Sequence, residues 1–344
     1  MEYIALHEFL LNPSDALLLD VRSPAEYEAG HIPGAVNLPL FTNDERAQVG
    51  TEYKQRSPEK ALLLGLDIIG PKMSEIIKQV KKYKVQDVIV HCWRGGKRSQ
   101  SMAWLLGFAG FNVKYIQGGY KEYRRNILNS EFFKDKKIII LGGRTGMGKT
   151  GFIHTLRDMG EQVLDLEELA RHKGSAFGHL GESSPPTNEQ FENNVAAVLQ
   201  KFDKAKRIWV ENESRLIGGI VIAQELWNKM KAAPLLNIEV SEKQRLNNIL
   251  NDYGHFSKEE LIASFKKIEK RIGGQNLKIA TEAIEVDDLT KAIQVALKYY
   301  DKTYDYNLSV NTSPDIHKLS LDGENIEAQT KTIIDYADRN IRFN

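Results

Sequence analysis

Two short stretches hold the residue types that handle oxyanions. The first, His91-Cys92-Trp93-Arg94-Gly95-Gly96-Lys97-Arg98-Ser99, contains the single cysteine of the 344-residue chain. A thiolate is a nucleophile, and cationic neighbours or a helix N-terminus favour it over the thiol. Gly95 and Gly96 let the backbone curl so that successive N–H groups point inward as an anion nest. The helix expected from Ser99 adds its N-terminal dipole. Arg94, Lys97 and Arg98 add positive charge, and an arginine can hold an oxyanion through two parallel hydrogen bonds. Lone cysteines are usually buried structural residues. The glycine pair, the three cations and the strand-to-helix setting favour a nucleophile acting on a sulfur, selenium or phosphorus centre with anionic oxygens. Cys92 and Arg98 are therefore the expected catalytic pair. Trp93, Arg94, Gly95, Gly96, Lys97 and Ser99 form the expected cradle.

The second stretch, Gly143-Arg144-Thr145-Gly146-Met147-Gly148-Lys149-Thr150, satisfies G-x-x-x-x-G-K-[ST]. It follows an expected strand and opens an expected helix, the setting in which this motif binds phosphates. Backbone N–H groups approach the phosphate oxygens, Lys149 neutralises them, and Thr150 is the residue able to ligate Mg²⁺. Asp165 and Glu211 end neighbouring strands and are the candidate acids of this second site. Neither makes a compelling nucleotide-site acid, so ATP and a simple diphosphate both stay open as ligands. Glu211, Glu213 and Arg215 face this site or are a solvated loop. His154, His172 and His179 show no metal spacing, and one cysteine argues against zinc. The stretch from Arg171 to Gly181 is a substrate loop or a surface loop.

The elements that must position these loops alternate between strand and helix. Strands are expected at Ala16–Val21, Ala35–Leu38, Asp87–His91 and Val113–Ile116. Helices are expected at Pro24–Gly30, Asp44–Lys54, Glu59–Leu66, Pro71–Tyr83 and Ser99–Ala109. That alternation predicts a parallel α/β sheet, with ligands at the carboxyl ends of its strands. A second such unit follows: strand Lys137–Leu141, helix Thr150–Met159, and strands Gln162–Leu166, Arg207–Val210 and Leu235–Val240. Charged helices follow at Glu242–Tyr253, Lys258–Arg271 and Leu289–Tyr300. The expected fold class is α/β: an N-terminal parallel-sheet domain over residues 1–128, then a P-loop NTPase-like domain with a helical extension over 135–306. Residues 307–344 read as a polar tail with no assignment.

Composition narrows the class further. The chain is 42% hydrophobic and 27% charged, with a net charge of +1, so any nucleic-acid contact must use local patches. Basic clusters such as Lys121–Arg125 include aromatics, a mixture suited to RNA, though each cluster alone reads as a solvated face. One cysteine excludes an internal disulfide. The N-terminus lacks a basic n-region and no run reaches membrane-spanning length, so the cytoplasm is expected.

Leu17–Pro39 (LLLDVRSPAEYEAGHIPGAVNLP) resembles the opening of rhodanese domains, and the likeness covers about the first 125 residues. Rhodaneses usually separate cysteine and closing arginine by four residues. Here five intervene, which resembles phosphatase loops that close around tetrahedral phosphorus. A rhodanese-like domain followed by a P-loop domain resembles the tRNA 2-selenouridine synthases. So do the stretches DERAQVGTEYKQ, IGPKM, IQGGYKEYR, HKGSAFGHLG, ENESRLIG, RIGGQ and YYDKTYDY. This resemblance implies selenium-for-sulfur exchange at the 2-thiouridine of the tRNA wobble position. It implies selenophosphate as donor and an S-geranylated intermediate made from geranyl diphosphate. Cys92 would carry selenium as a perselenide or activate it, and the P-loop would seat the diphosphate. The tRNA anticodon loop is the implied partner; no tightly bound cofactor is expected, and Mg²⁺ at Thr150 is left open. The alternatives are a rhodanese-type sulfurtransferase and a cysteine-dependent phosphatase, each with a nucleotide-binding domain.

Overall fold

A computed structural model describes residues 2–11, 15–310, 313, 315–323 and 325–343. The chain divides into two compact units: residues 1–129 with 192–200, and residues 130–191 with 201–344. Its strands are β1 (Glu2–Ile4), β2 (Leu17–Asp20), β3 (Val36–Asn37), β4 (Asp87–His91), β5 (Asn112–Ile116), β6 (Lys137–Gly143), β7 (Gln162–Leu164), β8 (Arg207–Glu211), β9 (Leu216–Ile217), β10 (Ile220–Val221), β11 (Leu235–Glu239) and β12 (Ile316–Ser320). No described helix is long and apolar enough to cross a membrane.

The first unit is built on an all-parallel sheet of order β1-β5-β4-β2-β3. Its middle strand, β4, is buried from Val88 to His91. Parallel strands covered on both faces read as continuous apolar runs, which is why DVIVH was legible as one. Ile76 and Val80 from one helix and Met102, Leu105 and Leu106 from another share a core with Leu19, Val88, Val90 and Cys92. The helix Lys97–Phe108 starts two residues before the expected Ser99, with Gly96 as its N-cap. Helix Pro24–Ala29 starts as expected, with Pro24 at its first position and the Glu26 carboxylate accepting from the Ser23 N–H at 3.1 Å. β1 is absent from the expectations. It is a three-residue edge strand, too short to show a period.

The second unit has its own all-parallel sheet, ordered β12-β11-β6-β8-β7, and the small antiparallel hairpin β9–β10. β6, the middle strand, runs straight into the glycine-rich loop. The segment 307–344, expected as an unassigned polar tail, instead supplies β12 and the helix Ile326–Asn340. β12 alternates exposed and half-buried residues at the sheet edge, so no apolar run betrays it. Helix Leu289–Tyr300 continues to Ser309. Ile333, Ala337 and Ile341 pack in one core with Phe152, Ile153 and Leu156 of the helix that follows the loop.

A chain ending at residue 310 should therefore lose the edge of the P-loop sheet and part of its core. The expected result is a thermal transition lowered by at least about 10 °C, read by calorimetry. An unchanged transition would show that residues 311–344 are dispensable.

Candidate functional site

The cysteine loop sits at the carboxyl end of β4. Cys92 is buried, while Trp93, Arg94 and Lys97 are exposed. The Cys92 Sγ lies 3.3 Å from the Ser99 Oγ, which is also 3.0 Å from the Gly96 carbonyl oxygen. Gly95 has φ +64°, a left-handed conformation that suits glycine. A second glycine pair backs the loop. Tyr120 N–H donates to the Cys92 carbonyl and Lys121 N–H to the Trp93 carbonyl, both at 2.9 Å. That approach requires Gly119: a Cβ there would stand 2.3 Å from the Cys92 oxygen and 2.5 Å from the Gly95 nitrogen.

Arg98 is held by Glu26, with Nη1 donating at 2.6 Å and Nη2 at 3.2 Å. Arg46 Nε lies 3.6 Å from the same carboxylate. Burial raises the Glu26 pKa, but the hydrogen bond and charge of Arg98 lower it more, so the carboxylate stays ionised. Behind the loop lies a buried polar layer. Asp20 and Arg22 form a buried ion pair, and Arg22 lies 3.9 Å from the Tyr120 ring centroid. Asn193, fully buried, donates to the Tyr120 hydroxyl at 2.7 Å and to the His31 carbonyl at 2.8 Å, and accepts from Arg124 at 2.7 Å. Arg124 also pairs with Glu192, and Arg125 with Glu122. The basic cluster Lys121–Arg125 is thus partly consumed inside its own unit. Burial pushes His91 down to about 4, against the pull of Asp20 at 3.7 Å, so its ring is neutral and no cation beside the thiol.

The P-loop lines a cavity of about 450 Å³. Thr145, Gly146, Met147, Gly148, Lys149 and Thr150 are part of its lining. Gly146 and Gly148 have φ +82° and +92°, and a Cβ on Gly146 would meet Ile249 at 2.7 Å and the Arg245 carbonyl at 2.8 Å. Arg245 donates to the Thr145 carbonyl at 2.8 Å and pairs with Asp301, and Asn248 donates to the Gly146 carbonyl at 2.9 Å. Arg144 turns outward to Asp305. The lining also holds an apolar group: Leu261, Phe265, Ile284, Leu289, Ala292 and Ala296. Phe177, Tyr253 and Tyr300 add aromatic wall. Leu261, Phe265, Tyr253, Leu289, Ala292, Ala296 and Tyr300 come from helices that read as charged in the sequence, whereas Ile284 lies on helix Gly274–Glu285, which is absent from the expectations.

The two acids expected beside the P-loop do not line this cavity. Asp165 caps helix Leu166–Ala170, accepting from the Glu168 N–H at 2.8 Å, and lies 3.2 Å from His154. Glu211 accepts from the Leu166 N–H at 3.1 Å. Burial, then the neighbouring Asp165, raises its pKa well above the usual range. Glu167 and Glu213, each two residues further on, line the cavity with Lys149 and Thr150 instead. The Thr150 Oγ1 lies 3.5 Å from a Glu167 oxygen. Burial first, then the charge of Glu213, pushes Glu167 up to about 9. Gly174 leaves room for Glu213, since a Cβ there would stand 2.4 Å from its oxygen. Lys173, Ser175 and Phe177 join it in the wall, so part of the 171–181 stretch lines the cavity. Among the described residues, His154, Asp165 and Glu168 are close enough to share a metal ion, but Arg157 already bridges both carboxylates.

A parallel-sheet unit with a buried thiol in a glycine-rich loop, and a P-loop unit with a partly apolar cavity, define a two-domain α/β protein with a rhodanese-like and a P-loop-type unit. Residues 6–126 match the rhodanese-like domain family, and residues 136–329 match the tRNA 2-selenouridine synthase AAA domain family. A tRNA 2-selenouridine synthase from Shewanella denitrificans is 36% identical over 329 residues, covering 85% of this chain and 88% of that one. One from Bdellovibrio bacteriovorus is 40% identical over 246 residues, 69% of this chain and 64% of that one. A rhodanese-related protein of known structure from Thermoplasma volcanium is 20% identical, with a TM-score of 0.24 over 37% of this chain and 93% of that one. The chain belongs to the tRNA 2-selenouridine synthase family.

The raised pKa of Glu167 has a pH signature. Folded, it keeps a proton that the unfolded chain releases above its ordinary 4.5. The associated stability is complete below 4.5 and is lost as pH rises towards 9. Glu167→Gln should flatten that fall and make the protein more stable than the parent at high pH. Denaturant midpoints measured across this range check it, and parallel curves for both proteins would refute the assignment.

Proposed function

We propose that the protein is a tRNA-modifying enzyme that replaces sulfur by selenium in the 2-thiouridine of the anticodon wobble position. Selenophosphate is the donor, and the route passes through an S-geranylated base made with geranyl diphosphate. The cavity of about 450 Å³ is the observation that supports this most, because one volume joins an anion-binding floor to an aliphatic and aromatic wall. That combination suits a prenyl diphosphate.

In the first half-reaction the base sulfur attacks C1 of the geranyl group. The C1–O bond to diphosphate breaks and the N3 proton is lost. Lys149 and the P-loop N–H groups take up the charge of the departing diphosphate. Positive charge developing on the allylic carbon suits the faces of Phe177, Tyr253 and Tyr300. Mg²⁺ fits the donor set at the phosphate end: the Thr150 hydroxyl with the Glu167 and Glu213 carboxylates, whose mutual repulsion a cation relieves. When bound it would supply further charge neutralisation for the diphosphate. In the second half-reaction selenium displaces the geranyl thiolate from C2, with Cys92 and Arg98 handling selenophosphate. A tRNA substrate fits a cytoplasmic enzyme.

This division of labour separates by mutation. Cys92→Ala should abolish selenation and spare geranylation. Lys149→Ala should reduce geranylation at least about a hundredfold. Mass spectrometry of tRNA nucleosides after incubation with each donor, separately and together, reads both; loss of both activities in Cys92→Ala would sink the scheme. Ala296→Phe should fill the apolar end and raise KM for geranyl diphosphate about tenfold or more, with inorganic diphosphate inhibition unchanged. An unaltered KM would move the prenyl chain elsewhere.

A further inference from the structure

We propose that Cys92 attacks the phosphorus of selenophosphate rather than its selenium, taking the phosphoryl group as S-phosphocysteine and releasing selenide. The proposal rests on the reading of the cysteine loop as the selenophosphate site and names the atom attacked there. In the first step the S–P bond forms, the Se–P bond breaks, and the electron pair leaves with selenium as HSe⁻. In the second, water attacks phosphorus, the S–P bond breaks, and orthophosphate and a proton are released with the thiolate restored. Selenium keeps one oxidation level from selenophosphate through selenide to the C=Se group of the product. No oxidant or reductant is required.

Attack at selenium closes less simply. Phosphorus would depart as phosphite and selenium would stay on sulfur as a perselenide, oxidised by two electrons. Delivering it to the base as C=Se needs a reductant, usually a second thiol, and the chain has one cysteine. Water alone regenerates Cys92 by the phosphoryl route.

The loop has the parts that route uses. Five residues separate Cys92 from Arg98, and Gly95 and Gly96 lead into the N-terminus of a twelve-residue helix. Glu26 engages one N–H on each terminal nitrogen of Arg98. A guanidinium has five N–H donors, so the Nε–H and the second N–H on each terminal nitrogen remain for phosphoryl oxygens. Glu26 thereby orients the fork without filling it, and Arg46 offsets its charge. The Ser99 hydroxyl, 3.3 Å from the sulfur, can turn its proton from the Gly96 carbonyl to a thiolate. It is placed to stabilise sulfur as the leaving group of the second step. Selenide is a far weaker base than an alkoxide, so it departs from phosphorus without a proton donor. Glu26, ionised between two arginines, is no such donor.

Selenophosphate alone is mixed with the full-length protein and quenched in acid, and the Cys92 peptide is weighed. A phosphoryl group and a selenium atom add nearly the same nominal mass, so the isotope envelope decides. A single-isotope adduct that is absent from Cys92→Ser, with orthophosphate as the product in ³¹P spectra, is the expected result. Ser99→Ala should raise the steady adduct at least about tenfold by slowing its hydrolysis. A selenium isotope envelope on Cys92, or phosphite in solution, would overturn the proposal while leaving Cys92 as the selenophosphate site. Selenophosphate consumption unaffected by Cys92→Ser would instead remove the underlying reading.

Discussion

A small oxyanion is held in a protein by backbone N–H groups that converge on it, and the chain must be bent tightly to make them converge. Two loops of this chain are bent in the same way. Each follows the middle strand of a five-stranded parallel sheet, β4 or β6, and each opens a helix. Each also has a glycine where a Cβ would collide with neighbouring backbone: Gly119 behind the cysteine loop and Gly146 within the P-loop. The sheets fix where the loops begin, the glycines set how tightly they close, and the side chains then decide what is done to the bound group.

The two centres differ in what surrounds the anion. At Cys92 the second layer is ionic: Glu26 and Arg46 outside, and Asp20, Arg22, Tyr120 and Asn193 within. At the P-loop the cavity lining mixes the loop's own residues and carboxylates with aliphatic and aromatic side chains.

Much of this was legible because the informative spacings are set by backbone geometry. Cys92 to Arg98 and Gly143 to Thr150 each run from a strand's end into the first turn of a helix, and the middle strands announced themselves as apolar runs. The acids of the second site were displaced by two residues for a specific reason. After β7 and β8 the residues at the strand ends, Asp165 and Glu211, are used to bind the N–H groups of a short helix, and the chain turns before Glu167 and Glu213 reach the cavity. The apolar wall was hidden because a cavity and a core demand the same periodicity from Leu261, Phe265 and Ala296. Asn193 gave no local signal, since its partners lie on residues 31, 120 and 124.

That last residue bears on how the chain is made. The segment 192–200 belongs to the first unit but is encoded after β6 and β7 of the second. During synthesis the sheet around Cys92 can assemble from the first 129 residues, while the Tyr120 hydroxyl and the His31 carbonyl still lack Asn193. Domains usually fold in order as they leave the ribosome. Here the polar layer that includes Tyr120 and Asn193 is completed only once part of the next sheet has emerged, so completion of the first unit is tied to the progress of translation through the second.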